Sequence, residues 1–260
     1  MSNIMEVKGL SAGYGRKTVV NGVDFTLEER TLTGLLGSNG SGKTTLARAV
    51  CGLIPSTGEV EIAGRDPRHE KSKARAALVS YIPQRSEIAF SMPVLDVVLM
   101  GFYPVLGPFA SPGKQMRRRA MEALLSVGLE DKAQEDYLTL SGGQKQMAIL
   151  ARAMVRDTPL YLFDEPDSAL DFANHHRALE FIKNMSHKEG MAGLICIHDA
   201  NFALRYCDRL IFLSEGRTAA KLDLNHAGRE EIAGALSRIY GPVELLSHNG
   251  HYLVDKREGI

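Results

Sequence analysis

The chain predicts an α/β layered fold, with a mainly parallel core sheet, an antiparallel β layer at its N-terminal end and a helical insertion. Apolar runs at Leu32 to Leu36, Leu78 to Ile82, Leu160 to Phe163, Leu194 to Ile197 and Leu210 to Leu213 are each bounded by turn or charged residues, as buried parallel strands are. Helical patterns lie between them, the alternation that builds a sheet covered by helices. The run Gly37-Ser38-Asn39-Gly40-Ser41-Gly42-Lys43-Thr44-Thr45 directly follows the first strand and fits a phosphate loop.

The elements follow in order. Met5 to Leu10, Val19 to Leu27 and Gly58 to Ile62 read as antiparallel strands with glycine and charged turns, a small β layer beside the main sheet. Thr31 to Leu36 is a buried strand that delivers the phosphate loop, and Leu46, Val50 and Leu53 recur beyond it at helical spacing. The loop therefore opens a helix whose positive end meets phosphate. Its backbone N–H groups wrap the β- and γ-phosphates, Lys43 supplies charge and Thr44 a magnesium ligand, so a bound nucleoside triphosphate is expected.

From about Ser86 to Asp157 no strand pattern appears, while Gln115 to Val127 and Gly142 to Val155 carry helical periodicity. This stretch is a helical insertion. After Gly216 a helix is expected over Arg229 to Ile239, then a hairpin of Val243 to Ser247 and His251 to Val254 around His248-Asn249-Gly250. His248 and His251 fit that hairpin better than a metal pair, since no other ligand lies nearby in sequence. The chain divides as one domain: 1–85 and 158–215 for the core and β layer, 86–157 for the helical part and 216–260 for the C-terminal helix and hairpin.

The length of 260 residues with 44% hydrophobic content supports a real core. Basic and acidic side chains balance at 31 each, so bulk charge gives no reason to expect nucleic acid or an acidic membrane surface as partner. Lys114, Arg117, Arg118 and Arg119 form the dense basic cluster and read as a solvated helix face, without the interleaved aromatics of a nucleic-acid site. Cys51, Cys196 and Cys207 are widely spaced, which speaks against a disulfide framework or zinc ribbon and fits a reducing compartment. The first residues lack a basic stretch followed by an apolar core, so no secretory signal is expected. Met92 to Ala110 is apolar except for Asp96, but Pro93, Gly101, Pro104, Gly107 and Pro108 divide it. It is expected to hold one short helix over Val94 to Met100, then a loop, and to expose apolar surface rather than span a bilayer.

Further elements follow the phosphate loop in a fixed order. Gln84 follows the strand ending at Ile82-Pro83, Leu140-Ser141-Gly142-Gly143-Gln144 precedes a helix, Asp164-Glu165 closes a strand, Ser168-Ala169-Leu170-Asp171 comes next and His198 ends the following strand. A strand placing Asp164 at the carboxyl edge of the sheet puts its carboxylate beside the phosphate loop, where magnesium sits. His198 ends an apolar strand at the same edge, whereas His175 and His176 are expected on an exposed helix.

With these motifs in this order the chain resembles the nucleotide-binding subunits of ATP-binding cassette (ABC) transporters along nearly its full length. Within that superfamily it is similar to the ATPases of bacterial importers for iron chelates, haem and cobalamin, on the stretches Val94-Leu95-Asp96-Val97-Val98-Leu99-Met100-Gly101 and His198-Asp199-Ala200-Asn201-Phe202-Ala203-Leu204-Arg205-Tyr206-Cys207-Asp208-Arg209. The resemblance implies ATP and Mg²⁺ as ligands, with Thr44 and Gln84 binding the metal directly and Asp164 through water. It implies Glu165 as the residue that polarises the attacking water and His198 as a switch bridging it to the γ-phosphate. Tyr14, between Gly13 and Gly15, matches the position whose ring stacks on adenine, a contact of about 1 kcal/mol.

Ser141, Gly142, Gly143 and Gln144 put a hydroxyl and bare N–H groups at a helix start, a second anion site by the same dipole logic; Ser141 is also an N-cap. In the family this element covers the γ-phosphate bound to the opposite subunit, which implies a head-to-tail dimer of two copies with two ATP molecules between them. Two membrane permease subunits, and through them an extracytoplasmic substrate-binding protein, are the further partners implied, with the chain peripheral on the cytoplasmic face of the inner membrane. The Gln84 loop and Ala89 to Phe109 would supply the permease socket. An iron chelate ranks first as cargo. The alternative is a non-transport cytosolic ABC ATPase in cofactor assembly. Ser38 stands where many members have proline, and Asp167 where many have threonine; the extra charge of Asp167 is expected to raise the pKa of Glu165.

Overall fold

The computed structural model describes residues 2–84, 86, 88–107, 109–166, 171–188, 190–248 and 250–256. In chain order these form β1 (Asn3–Tyr14), β2 (Lys17–Glu28), β3 (Leu32–Leu36), α1 (Lys43–Val50), β4 (Ser56–Ile62), α2 (Ser72–Leu78), β5 (Val79–Ile82), α3 (Val94–Leu99), α4 (Lys114–Ser126), α5 (Gly142–Met154), β6 (Leu160–Asp164), α6 (Phe172–Ser186), β7 (Ala192–Cys196), α7 (Ala200–Tyr206), β8 (Arg209–Ser214), β9 (Arg217–Asp223), α8 (Arg229–Tyr240), β10 (Val243–His248) and β11 (His251–Lys256). Pro108, Asp167, Ser168, Ala169, Leu170 and Asn249, all used in the sequence reading, lie outside the described residues.

The core is a six-stranded sheet in the order β5-β6-β7-β3-β8-β9. Its strands from β5 to β8 are parallel, and β9 runs antiparallel to β8. A separate antiparallel layer has the order β2-β1-β4. Strand alternation divides the core between the two faces. Leu160, Leu162, Leu194 and Ile211 pack with α1 under the antiparallel layer, whereas Tyr161, Phe163, Ile195 and Phe212 pack against the helices of the opposite face. Every residue of β3 and β6 is buried, which is why those strands read as largely apolar runs.

Several boundaries differ from expectation. Leu78 ends the alanine-rich helix α2 rather than starting a strand. β9 joins the core sheet, so the sheet continues past residue 215. Beyond Leu99 the chain does not enter a loop but continues as a 3₁₀ helix over Met100–Val105. The apolar face of 92–110 is also mostly internal: Val94, Leu95, Val97, Val98 and Leu99 are buried, leaving Tyr103 and Phe109 exposed, with Phe90 exposed just before it. Gly101 permits this fit, because a Cβ there would lie 2.2 Å from the Arg152 carbonyl of α5. Among the described residues no helix is long and apolar enough to cross a membrane.

Candidate nucleotide site

The phosphate loop is held by close approach. A Cβ on Gly37 would stand 2.4 Å from Ser41 Oγ and 2.5 Å from the Leu213 carbonyl, so a larger residue has no room. Gly40 and Gly42 adopt left-handed φ of 80° and 105°, and Gly42 caps α1. The cavity above the loop, about 180 Å³, is lined by Val19, Asn39 to Thr45 and Glu165. Lys43 lies in it almost fully buried, donating to the Gly37 carbonyl at 2.9 Å and the Ser38 carbonyl at 3.5 Å. Ser41 Oγ is buried there with no hydrogen-bond partner among the described residues. An unpaired buried hydroxyl and a buried ammonium resting on carbonyls suit an anionic ligand.

The parallel register of β6 and β7 brings the second group of residues to the same edge. Thr44 Oγ1 donates to Asp164 Oδ1 at 2.9 Å, and Tyr81 from β5 donates to Asp164 Oδ2 at 2.9 Å. Thr44 and Asp164 thus present hard oxygen donors side by side, a set that fits Mg²⁺. Glu165 adopts a left-handed φ of 48°, uncommon for a non-glycine residue, and its N–H donates to the Cys196 carbonyl at 3.2 Å. Its carboxylate accepts from Gln84 Nε2 at 2.8 Å and stands 3.5 Å from Lys43 Nζ. Gln84 is tied here to Glu165, with Asp164 next in the chain. Burial chiefly, helped by the Asp164 carboxylate, pushes both the Tyr81 hydroxyl and the Cys196 thiol upward, so each stays protonated beside the site.

His198 follows β7 with an exposed side chain, and the Tyr240 hydroxyl donates to its backbone carbonyl at 2.9 Å. Tyr14 is half exposed and accepts from Arg48 Nη1 at 3.4 Å, beside a cleft of about 600 Å³ between the β1–β2 turn and Ile54 to Thr57. Such a cleft suits a planar base.

Ser141 caps α5 in a reciprocal box: Gln144 N–H donates to Ser141 Oγ at 3.3 Å and Ser141 N–H to Gln144 Oε1 at 3.0 Å. Gly143 lets α6 approach, since a Cβ would lie 2.5 Å from Asn174 Nδ2. Asn174 in turn bonds Asp171, the N-cap of α6. None of Ser141 to Gln144 lines the phosphate-loop cavity.

The ABC transporter pattern matches residues 20–168. The chain belongs to the ABC transporter family. This cassette is 37% identical to a probable iron chelatin transport ATP-binding protein of Helicobacter pylori, over 82% of the cassette and 84% of that protein. It is 34% identical to the hemin import ATP-binding protein HmuV of Pseudomonas entomophila, over 98% and 100%. An ABC transporter ATP-binding protein of Bacillus subtilis, YvrA, is 35% identical, and there the cassette spans 87% of its own length but 52% of the relative's. Among solved structures, an ABC cassette in its ADP conformation shares the fold at a TM-score of 0.80 and 23% identity, covering 92% of this chain and 97% of that one. A dimeric cassette bound to ADP and phosphate after hydrolysis gives 0.73 and 27% identity, covering 85% and 98%. The cassettes of this family are ATPases, and this chain is one of them.

Two residues of the cassette's site escaped the sequence reading. Tyr81 carries a polar tip in the short strand just before Gln84, a signal available in the sequence but silent without the β5–β6 register. Arg48, beside Tyr14, lies on the exposed side of α1 and carries no motif. His175 and His176 are half-buried, not exposed: the His175 ring stacks on Phe202 at 3.9 Å, and His176 Nδ1 bonds the Tyr206 hydroxyl at 2.5 Å.

Proposed function

We propose that this chain is the ATP-hydrolysing subunit of an importer, with an iron-siderophore or related metal chelate as cargo, acting as a head-to-tail dimer of two copies that drives two permease subunits. One observation carries the dimer: the phosphate-loop cavity holds no residue of the Ser141 to Gln144 helix start, which leaves that anion site for a phosphate bound to another copy. The iron chelatin and hemin relatives support the cargo class. Extracytoplasmic capture of the chelate belongs to a binding protein that meets the permease.

Each residue then has a task. Lys43 and the loop N–H groups of Ser38 to Thr45 hold the β- and γ-phosphates, and Tyr14 stacks on adenine. Thr44, Asp164 and Gln84 would hold Mg²⁺, which when bound neutralises charge on the phosphate oxygens. Glu165 accepts the proton of the water that attacks the γ-phosphorus as the bond to ADP breaks, and Gln84 keeps that carboxylate in place. His198 donates to the γ-phosphate, and Ser141 with the Gly142 and Gly143 amides closes over it from the partner copy. Closure and release of the dimer move the permeases.

The permease socket is supported by the exposed Phe90, Tyr103 and Phe109 in the segment that follows Gln84. Clefts of about 320 and 210 Å³ belong to the same helical part, one lined by Phe102 and Val155, the other by Tyr81 and Pro104. A mild-detergent pull-down of the tagged chain from its native membranes, read by mass spectrometry, tests the reading. A multi-spanning permease in equal amount is expected. Recovery as a soluble protein with assembly partners would instead make it a cofactor-assembly ATPase.

A further inference from the structure

The C-terminal helix and hairpin grip the loop that carries His198. The Tyr240 hydroxyl donates to the His198 carbonyl at 2.9 Å, and the Val254 N–H of β11 donates to Asn201 Oδ1 at 2.7 Å. Between these points Asp199 caps α7, accepting from the Asn201 and Phe202 N–H groups at 2.7 and 3.3 Å. The short stretch from His198 to Asn201 is therefore held from outside the core by residues far along the chain.

The gripping unit is itself fixed. Ile232, Ala235 and Leu236 of α8 are buried in the main core, and Leu245 of β10 packs with them. Arg229 Nη2 donates to the Leu245 carbonyl at the start of α8, and the Val243 N–H donates to Ser237 Oγ at its end. Gly241, at φ 78°, turns the chain immediately after Tyr240. Tyr240 thus sits at a defined helix end while its partner sits in irregular backbone just past β7. Burial first, and then the Asp199 charge, push the Tyr240 hydroxyl up to about 12, so it remains a donor at neutral pH.

We propose that Tyr240 is a positioning residue for the switch histidine: its hydroxyl fixes the backbone at His198 so that the exposed imidazole points toward the bound γ-phosphate, and the C-terminal hairpin locks the same loop at Asn201. This inference rests on the reading of His198 as the switch. It gives the C-terminal helix and hairpin a part in turnover, because any shift of α8 is passed to the His198 backbone.

The test is a double-mutant cycle in the full-length purified chain, with Tyr240→Phe, His198→Ala and both together, followed by single-turnover ATP hydrolysis, KM for ATP and thermal unfolding. Tyr240→Phe is expected to lower the rate about fivefold, the kinetic equivalent of one ordinary hydrogen bond, with KM within about twofold. The thermal midpoint is expected to fall by no more than about 4 °C. In the His198→Ala background the same substitution is expected to change nothing further. A wild-type rate for Tyr240→Phe, or an equal drop in both backgrounds, would overturn the proposal while leaving His198 as the switch. A wild-type rate for His198→Ala alone would instead remove the switch reading, and the proposal with it.

Discussion

The Lys43 ammonium lies 3.5 Å from Glu165 Oε1, with side chains only 5% and 18% exposed. The cation that is to hold phosphate and the carboxylate that is to meet water therefore share one enclosed space. A γ-phosphate entering it takes Lys43 as its own counter-charge and leaves Glu165 available as a base. Lys43→Ala is expected to weaken ATP binding about 10- to 100-fold, the worth of charge-assisted bonds to phosphate, without unfolding the chain. Isothermal titration with a non-hydrolysable ATP analogue and Mg²⁺ checks it; unchanged affinity would remove Lys43 from phosphate binding.

Tyr81 and Thr44 occupy the two oxygens of Asp164. Removing the tyrosine hydroxyl frees one oxygen to rotate off line. Tyr81→Phe should raise the Mg²⁺ concentration for half-maximal hydrolysis about fivefold at constant ATP, since one hydrogen bond is worth about 1 kcal/mol. A magnesium titration of turnover reads this directly.

Gly143 lies where a Cβ would meet Asn174 Nδ2 at 2.5 Å. Gly143→Ala must push Asn174 off Asp171 and disturb the starts of α5 and α6 together. ATP binding to the single chain should persist while steady-state hydrolysis falls at least about tenfold, the scale on which losing one aimed donor is felt. Equal losses of binding and turnover would show that this helix start serves its own chain's nucleotide.

His176 is half-buried, with Phe172 and Phe202 ring centroids at 4.5 and 5.1 Å. Burial chiefly, then the charges of Arg205 and His175, lower its pKa below the ordinary value. The unfolded chain consequently binds this proton more readily than the folded one as pH falls. Stability from this group is thus full above about pH 6.5 and is lost as pH drops through that value toward the lower folded pKa. Thermal melts across this range should show a decline that is shallower in His176→Gln, and identical slopes would refute the assignment.

The strands that position the site were legible because β3, β6 and β7 are buried on both faces and read as apolar runs. The placement of Glu165 and His198 just beyond β6 and β7 was legible for the same reason, since each is a polar residue following such a run. β9 was not, since Arg217-Thr218-Ala219-Ala220-Lys221-Leu222-Asp223 is a sheet edge that owes its form to pairing with β8. Apart from Asp96 the helix Val94–Leu99 is apolar, a pattern that fits a wedge between α4 and α5 as well as an exposed patch. Tyr81 and Tyr240 act through hydroxyls whose partners lie 83 and 42 residues away, contacts that no local pattern encodes. Asp167, Ser168, Ala169 and Leu170 lie outside the described residues, so the expectations placed on them stay with the sequence.

The central claim is that Glu165 drives hydrolysis in a site completed by a second copy. The measurement is sedimentation velocity of Glu165→Gln with ATP and Mg²⁺, alongside its turnover. A dimer that forms with ATP, disperses with ADP and hydrolyses at least about a hundredfold more slowly than wild type is the predicted result. A variant that stays monomeric with ATP bound, or turns over like wild type, would contradict it.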